Sequence, residues 1–336
     1  MDSPLHITCL RRGIVGGPGD ASFVPSYIQC LERAGHRLSF IGDDPSRIPE
    51  RGLFWIQGSI AWYPRVRRRL IAMPPQKRPP VLIWFCEPLP PPNDSGLPWP
   101  RLNLREIAKI LLRDPRATDV YTNYLVLRRL ALFGLPDFLV VSATGRQRFL
   151  AERGIVSHFV PFGYDPDMGR DLALPRDIDV LFIGALNVPR RNRLLQFLRR
   201  QGVNLTAVGD WSDPACWGEN RTLLLNRSRI LLNFARTPAE YSGMRLLLGM
   251  ANKALVISEP MYDPAPYVPG RHFISAPVEQ MPDLIRHYLD HEDERRLMVE
   301  EAHRFVTTEH TLDRAIARIF EIVSSSALDR KAERLA

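Results

Sequence analysis

Ile178-Asp179-Val180-Leu181-Phe182-Ile183-Gly184 is a short, almost continuously apolar run that stops at a glycine. A loop with Asn187-Val188-Pro189-Arg190-Arg191 follows, then a helix-like stretch from Arg191 to Gln201 closed by Gly202, then the strand-like Val203 to Gly209. An apolar run that does not alternate with polar residues is the mark of a strand covered on both faces, as in a parallel sheet. Gly after the last helical turn and a strand directly beyond it complete a strand–helix–strand unit.

Outward from this unit the pattern repeats. Downstream, Ile230 to Phe234, Ala254 to Ser258 and Arg271 to Ser275 read as strands. Helices are expected over 244–252, 281–289, 293–306 and 312–324. Upstream, His6 to Leu10, a glycine-rich loop, a helix over 23–34 closed by Gly35 and the strand Arg37 to Ile41 open the chain in the same way. Leu53–Ile56, Val81–Phe85, Asp137–Ser142 and His158–Gly163 add four strands, with a helix over 144–153. The proline-dense stretch 87–100 is a surface loop, because proline removes a backbone donor and fixes its own φ. Two α/β halves with parallel sheets facing across a cleft are therefore expected. The boundaries are 1–165 for the first Rossmann-like domain, 166–176 for a linker, 177–326 for the second domain and 327–336 for a frayed tail.

Composition agrees with a soluble two-domain chain. It has 336 residues, 45% apolar and 24% charged, with no apolar window long enough for a membrane span. The opening residues lack a basic segment followed by an apolar stretch, so the cytoplasm is the expected location. Cys9, Cys30, Cys86 and Cys216 are far apart, which argues against a disulfide framework and a zinc site. The formal charge of +8 favours an anionic partner. The run Arg65-Val66-Arg67-Arg68-Arg69 beside Trp62 and Tyr63 reads as a solvated helix face or as a peripheral contact with an anionic membrane. Aromatic residues are not interleaved with the basic runs as single-strand stacking requires, so no nucleic-acid partner is expected.

Ligands of open parallel sheets bind beyond the carboxyl ends of the strands. The first such loop holds Gly16, Gly17, Gly19 and Asp20, either a binding loop or a flexible turn without dinucleotide spacing. Gly184, Arg190 and Arg191 follow a strand in the second half. Arginines at a helix start hold a diphosphate well, the alternative being a solvent-exposed basic cap. The loop 233–245 adds Arg236, Glu240, Ser242 and Arg245, and Ser258-Glu259-Pro260 is either a contact or an ordinary turn.

Residues 178–319 resemble the nucleotide-sugar domain of GT-B glycosyltransferases, especially the bacterial group similar to spore-maturation (CgeB-like) glycosyltransferases. The resemblance rests on Phe182-Ile183-Gly184, Arg190-Arg191, Leu232-Asn233, Arg245, Val256-Ile257-Ser258-Glu259 and Gly270-Arg271-His272-Phe273. The first half is similar more loosely, through 137–150 and Val160-Pro161-Phe162-Gly163. The resemblance implies a hexosyltransferase-like enzyme, a UDP-, GDP- or dTDP-sugar donor, and a glycan, lipid-linked or protein acceptor held by the first half. Retaining members of that group carry two glutamates eight positions apart. Glu240 stands at the first position, Leu248 at the second, and Lys253 where a glycine is usual. Leucine accepts no hydrogen bond from ribose hydroxyls, so Glu259 becomes the candidate for that contact. An inverting course instead needs a base in the first half, for which Asp20 and Glu87 are candidates; His6 and His36 read as strand-start and turn residues. No carboxylate pair has metal spacing, so a donor site without metal or other cofactor is favoured. The alternative is a non-catalytic sugar-nucleotide or glycan-binding protein on the same fold, favoured by Leu248.

Overall fold

The computed structural model describes residues 4–11, 18–100, 104, 107–108, 120–209, 213–236 and 243–333, with the backbone alone for 18–25 and 326–333. The chain divides into two compact units. Met1–Val15, Tyr27–Pro161 and Ala315–Ala336 form the first, Gly16–Ser26 and Phe162–Arg314 the second.

The first unit is built on six strands, β1 (His6–Leu10), β2 (Arg37–Ile41), β3 (Leu53–Gln57), β4 (Val81–Phe85), β5 (Phe138–Val141) and β6 (His158–Phe159). They lie in the order β2-β1-β3-β4-β5-β6, every pair parallel. The helices described with this sheet are α1 (Pro18–Arg33), α2 (Pro64–Ala72), α3 (Val120–Ala131) and α4 (Thr144–Ala151). Successive side chains of a strand face opposite ways, and the core shows it. Phe54 and Ile56 join Ile83, Phe85 and Val141 under Val66 and Leu70 of α2, Leu127 and Leu130 of α3, and Phe149 of α4. Trp55, between them, takes the other face, stacked on Tyr27 of α1 and edge-on to Trp84. Helix α2 starts on a proline, and the Asp43 carboxylate accepts the otherwise unbonded N–H groups of Arg65 (3.0 Å) and Val66 (2.8 Å).

The second unit repeats the plan with β7 (Ile178–Ile183), β8 (Leu205–Val208), β9 (Ser228–Asn233), β10 (Leu255–Ser258) and β11 (Ile274–Ser275). Their order is β11-β10-β9-β7-β8, again all parallel. Its helices are α5 (Pro189–Arg200), α6 (Gly218–Asn226), α7 (Gly243–Ala251), α8 (Met281–Asp290) and α9 (Glu292–Arg304). Val180, Phe182, Ile230 and Leu232 pack on one face with Leu195, Leu198, Met281 and Ile285, while Leu181, Leu231 and Val256 pack on the other with Leu246, Leu247 and Met250.

Three expectations need adjustment. The stretch 166–176, expected as the interdomain linker, is part of the second compact unit. Met168 is buried, the Leu172 N–H donates to Asn226 Oδ1 (2.7 Å), and the Arg176 guanidinium donates to the carbonyls of Ser228 (2.5 Å) and Asn252 (3.2 Å). The last helix, α10 (Leu312–Glu333), runs through most of the span expected to fray, and its part from Ala315 onward belongs to the first unit. Phe320 brings it there, in ring contact with Trp55 and with His36. Helix α1 begins at Pro18, so Gly19 and Asp20 stand in its first turn rather than in a loop.

Candidate functional site

In both units the first strand of the unit runs to its second strand on one side and neighbours the third on the other, so the direction of travel reverses between them. A crevice opens beyond the carboxyl ends at such a reversal. In the second unit it lies between β7 and β9. Gly184 ends β7 with φ +150°, and a Cβ there would come within 3.3 Å of Arg245 Nη2. Gly209, after β8 with φ +149°, passes so close that a Cβ would stand 2.2 Å from the Gly184 carbonyl oxygen. The two loops are tied by Gly184 N–H to Val208 O (3.0 Å) and Leu186 N–H to Gly209 O (3.2 Å).

Three arginines converge on this reversal. Arg245, in the first turn of α7, donates through Nε to Ile183 O (3.0 Å) and through Nη1 to Asn233 Oδ1 (2.7 Å) and Phe234 O (2.9 Å). Arg191, in the first turn of α5, is 3% exposed and donates through Nε to the same Phe234 carbonyl (2.9 Å). Both guanidiniums lie against the Phe182 ring, 5.3 Å and 5.8 Å from its centroid. Arg190 reaches the next gap: it donates to Ala235 O (3.1 Å) and forms a two-pronged pair with Glu259, whose Oε1 also accepts the Ala235 N–H (2.6 Å). The Asn233 amide donates to Ser258 Oγ (3.0 Å), and that hydroxyl donates to Glu259 O (2.8 Å). A continuous polar chain thus runs Arg245–Asn233–Ser258–Glu259–Arg190 across the ends of three strands. Charge-assisted bonds of this kind are short and directional, and in a half-buried setting they hold each other in place.

The candidates therefore fall into groups. Gly184, Arg190, Arg191, Arg245 and Glu259 come together. Arg191 does so as a buried strap, not as a solvent-exposed cap. Arg236 is exposed just beyond β9. Glu240, Ser242, Gly16 and Gly17 lie outside the described residues, as does the side chain of Asp20. Glu87 follows β4 and is half-buried; a Cβ on Gly58 would lie 3.7 Å from its Oε1 and 3.3 Å from the Trp62 ring. Burial pushes the neighbouring Cys86 thiol up to about 12, and the Glu87 charge adds to the rise. Sequence reasoning did not assign Asn233 or Ser258 to the site. Their signal was there: each is a polar residue directly after three apolar ones at a strand end, 1% and 0% exposed.

Both departures from the two-glutamate pattern have a structural account. Leu248 is 7% exposed and belongs to the core beneath α7. Lys253 keeps the left-handed backbone, φ 54°, that a glycine adopts without strain. Its ammonium bridges Asp171 (3.0 Å) and Glu300 (2.8 Å).

The architecture is shared with solved glycosyltransferases of the GT-B type. The chain superposes on sucrose-phosphate synthase from Thermosynechococcus elongatus with a TM-score of 0.62 at 11% identity, covering 97% of this chain and 100% of that one. It matches Anabaena HepE in complex with UDP-glucose at 0.58 and 10% identity, over 96% and 100% of the two chains. It matches WaaG, a glycosyltransferase involved in lipopolysaccharide biosynthesis, at 0.52 and 15% identity, over 94% and 99%. At such identities the likeness is one of fold. Residues 190–321 match the family described as Glycosyl transferase-like. That stretch begins at Arg190 and contains every member of the polar chain. No curated protein sequence matches.

Proposed function

We propose that this protein is a glycosyltransferase that takes a sugar from a nucleotide-sugar donor bound at the β7/β9 reversal of its second unit. The observation that carries the reading is the convergence of Arg190, Arg191 and Arg245 on one strand edge, at the starts of α5 and α7, inside the stretch that matches the glycosyltransferase family. Two helix starts present unbonded N–H groups and partial positive charge, and fixed guanidiniums add full charge. The group that gains negative charge as a glycosidic bond breaks is the departing diphosphate, so fixed cations there stabilise the transition state more than the bound donor. We assign that stabilisation to Arg190, Arg236 and Arg245, with Arg191 holding the loop that carries Ala235, and favour it over a bound cation. Glu259 is our candidate for the ribose hydroxyls. Ala235 N–H and Arg190 hold its carboxylate, and a diphosphate competing for Arg190 would leave one oxygen to accept from the sugar.

The UDP and UDP-glucose complexes of HepE make a UDP-hexose the first donor to try. Glu87 and Asp20, on the acceptor side, are our candidates for the general base of an inverting course. The acceptor is a glycan, a lipid-linked sugar or a protein. Arg190-Arg191, Leu232-Asn233 and Arg245 are our grounds for placing the chain near the spore-maturation group, and a cytoplasmic location suits a nucleotide-sugar donor.

Leu248 favours a second reading, a donor-binding protein without turnover, because the usual ribose carboxylate is replaced by a core residue. Calorimetry with UDP, GDP, dTDP and CDP, followed by a UDP-release assay on the matching sugar nucleotide, separates the readings. Binding that falls about tenfold or more in Arg190→Ala supports the donor site. Release of nucleotide above the rate without protein establishes turnover, binding without release leaves the second reading, and binding of none of the four removes both.

A further inference from the structure

Helices α2 and α3 lie side by side on one face of the first sheet, since Val66, Leu70, Leu127 and Leu130 share one core cluster. Their outer faces join. Arg78, just beyond α2, donates to Met73 O (2.8 Å) and to Phe133 O (2.8 Å), which fixes the end of α2 to the turn after α3. Leu125, Arg128, Arg129 and Leu132 have the spacing of one helix face, and Arg67 of α2 is half-buried, its ionisation pushed down by burial and then by the charges of Arg129 and Arg68. Arg68, Arg128 and Arg129 are exposed. Among the described residues none of these arginines has an ion pair, and Asp43, whose charge acts on Arg67, is bonded to the start of α2.

The same surface carries apolar side chains that the core does not use. Leu125 is 52% exposed, Leu132 78% and Phe133 44%, all on α3 or the turn that ends it. A solvated charged face needs no such residues, and a phosphodiester backbone would not hold them. A bilayer with anionic head groups takes both: the cations sit at the phosphates, and leucine and phenylalanine enter the acyl boundary.

We propose that the joined outer face of α2 and α3 is a docking surface for an anionic lipid bilayer. It would bring the first unit to lipid-borne molecules from the aqueous side, and it does not depend on the donor site being correctly assigned.

The test is flotation of the full chain with phosphatidylcholine vesicles, with and without about 30 mol % phosphatidylglycerol, read without any sugar nucleotide. Binding is expected only to the anionic vesicles, falling steeply as salt is raised to about 0.5 M. Arg67→Glu with Arg129→Glu should lower the partition about tenfold or more. Leu132→Ser with Phe133→Ser should lower it severalfold while leaving its salt dependence in place. This second pair, exposed in the folded protein, carries the test if the charge reversal fails to fold by circular dichroism. Arg200→Glu with Arg296→Glu, the same charge change on the second unit, should leave flotation unaltered. No flotation with anionic vesicles overturns the proposal. So does an equal loss in the second-unit control, or a DNA duplex that binds through Arg67 and Arg129 while vesicles do not.

Discussion

The carboxyl edges of the two sheets arise from the same strand order and are furnished in opposite ways. In the second unit, cations cross the reversal and are held by backbone carbonyls: Ile183, Phe234 and Ala235 accept from Arg245, Arg191 and Arg190. In the first unit the edge beyond β4 and β5 carries a half-buried carboxylate, Glu87, and an arginine drawn back into the core, Arg146, bonded to Ser142 Oγ (2.8 Å). One edge presents fixed guanidiniums, the other a half-buried carboxylate beside a buried arginine. The lesson concerns the economy of a doubled fold: one topology supplies two crevices, and the few side chains at strand ends decide what each can do.

The sharpest way to break this contrast is Arg245→Ala. It leaves the Ile183 carbonyl and the Asn233 amide oxygen without their charged donor, and buried groups left unpaired cost more than the bond itself gains. We expect a loss of about 2–4 kcal/mol, from two acceptors left without a donor. Urea denaturation with tryptophan fluorescence should show it. Four of the six tryptophans, Trp55, Trp62, Trp84 and Trp99, belong to the first unit, so the fluorescence transition should shift less than the loss of secondary structure by circular dichroism.

A second difference is acid sensitivity. His310, buried against Tyr267 and Phe305, has its imidazole pushed down to about 4 by burial. The unfolded chain binds a proton near the ordinary value, about 6.5, whereas the folded one binds it only near 4. Stability is therefore whole above about pH 6.5 and falls as pH drops toward 4, by up to about 3 kcal/mol. His310→Gln should flatten that dependence when urea midpoints are compared between pH 7 and 4.5.

The gentlest test separates binding from chemistry. Glu87→Gln should slow turnover about tenfold or more while leaving nucleotide affinity within about twofold. A matched loss of affinity would move Glu87 to the donor side and dissolve the contrast.

Much of the architecture was legible because strands buried on both faces must be apolar throughout. Val81–Phe85, Ile178–Ile183 and Leu255–Ser258 stand out for that reason, and glycines such as Gly35 and Gly202 mark the helix ends. Helices α3 and α6 were not read from the sequence. In α6, Arg221 and Asn226 face inward and are bonded to backbone, so its buried side is polar and its apolar periodicity weak. The site was half legible. Arginines after strands pointed to charge, but residue order cannot tell a guanidinium facing solvent from one folded back onto a carbonyl. Arg190 and Arg191 both fold back, the first onto the Ala235 carbonyl and the Glu259 carboxylate and the second onto the Phe234 carbonyl.

The last helix has a consequence for biogenesis. Residues from Ala315 onward belong to the unit that is synthesised first, and Phe320 meets the ring of Trp55 on the third strand of that unit. A ribosome releases domains in chain order, and most can fold as they emerge. Here the earlier-born sheet waits for α10 to cover Trp55, while the later-born unit closes without that part of the helix. Chains truncated before Ala315 would carry their defect in the earlier-born unit.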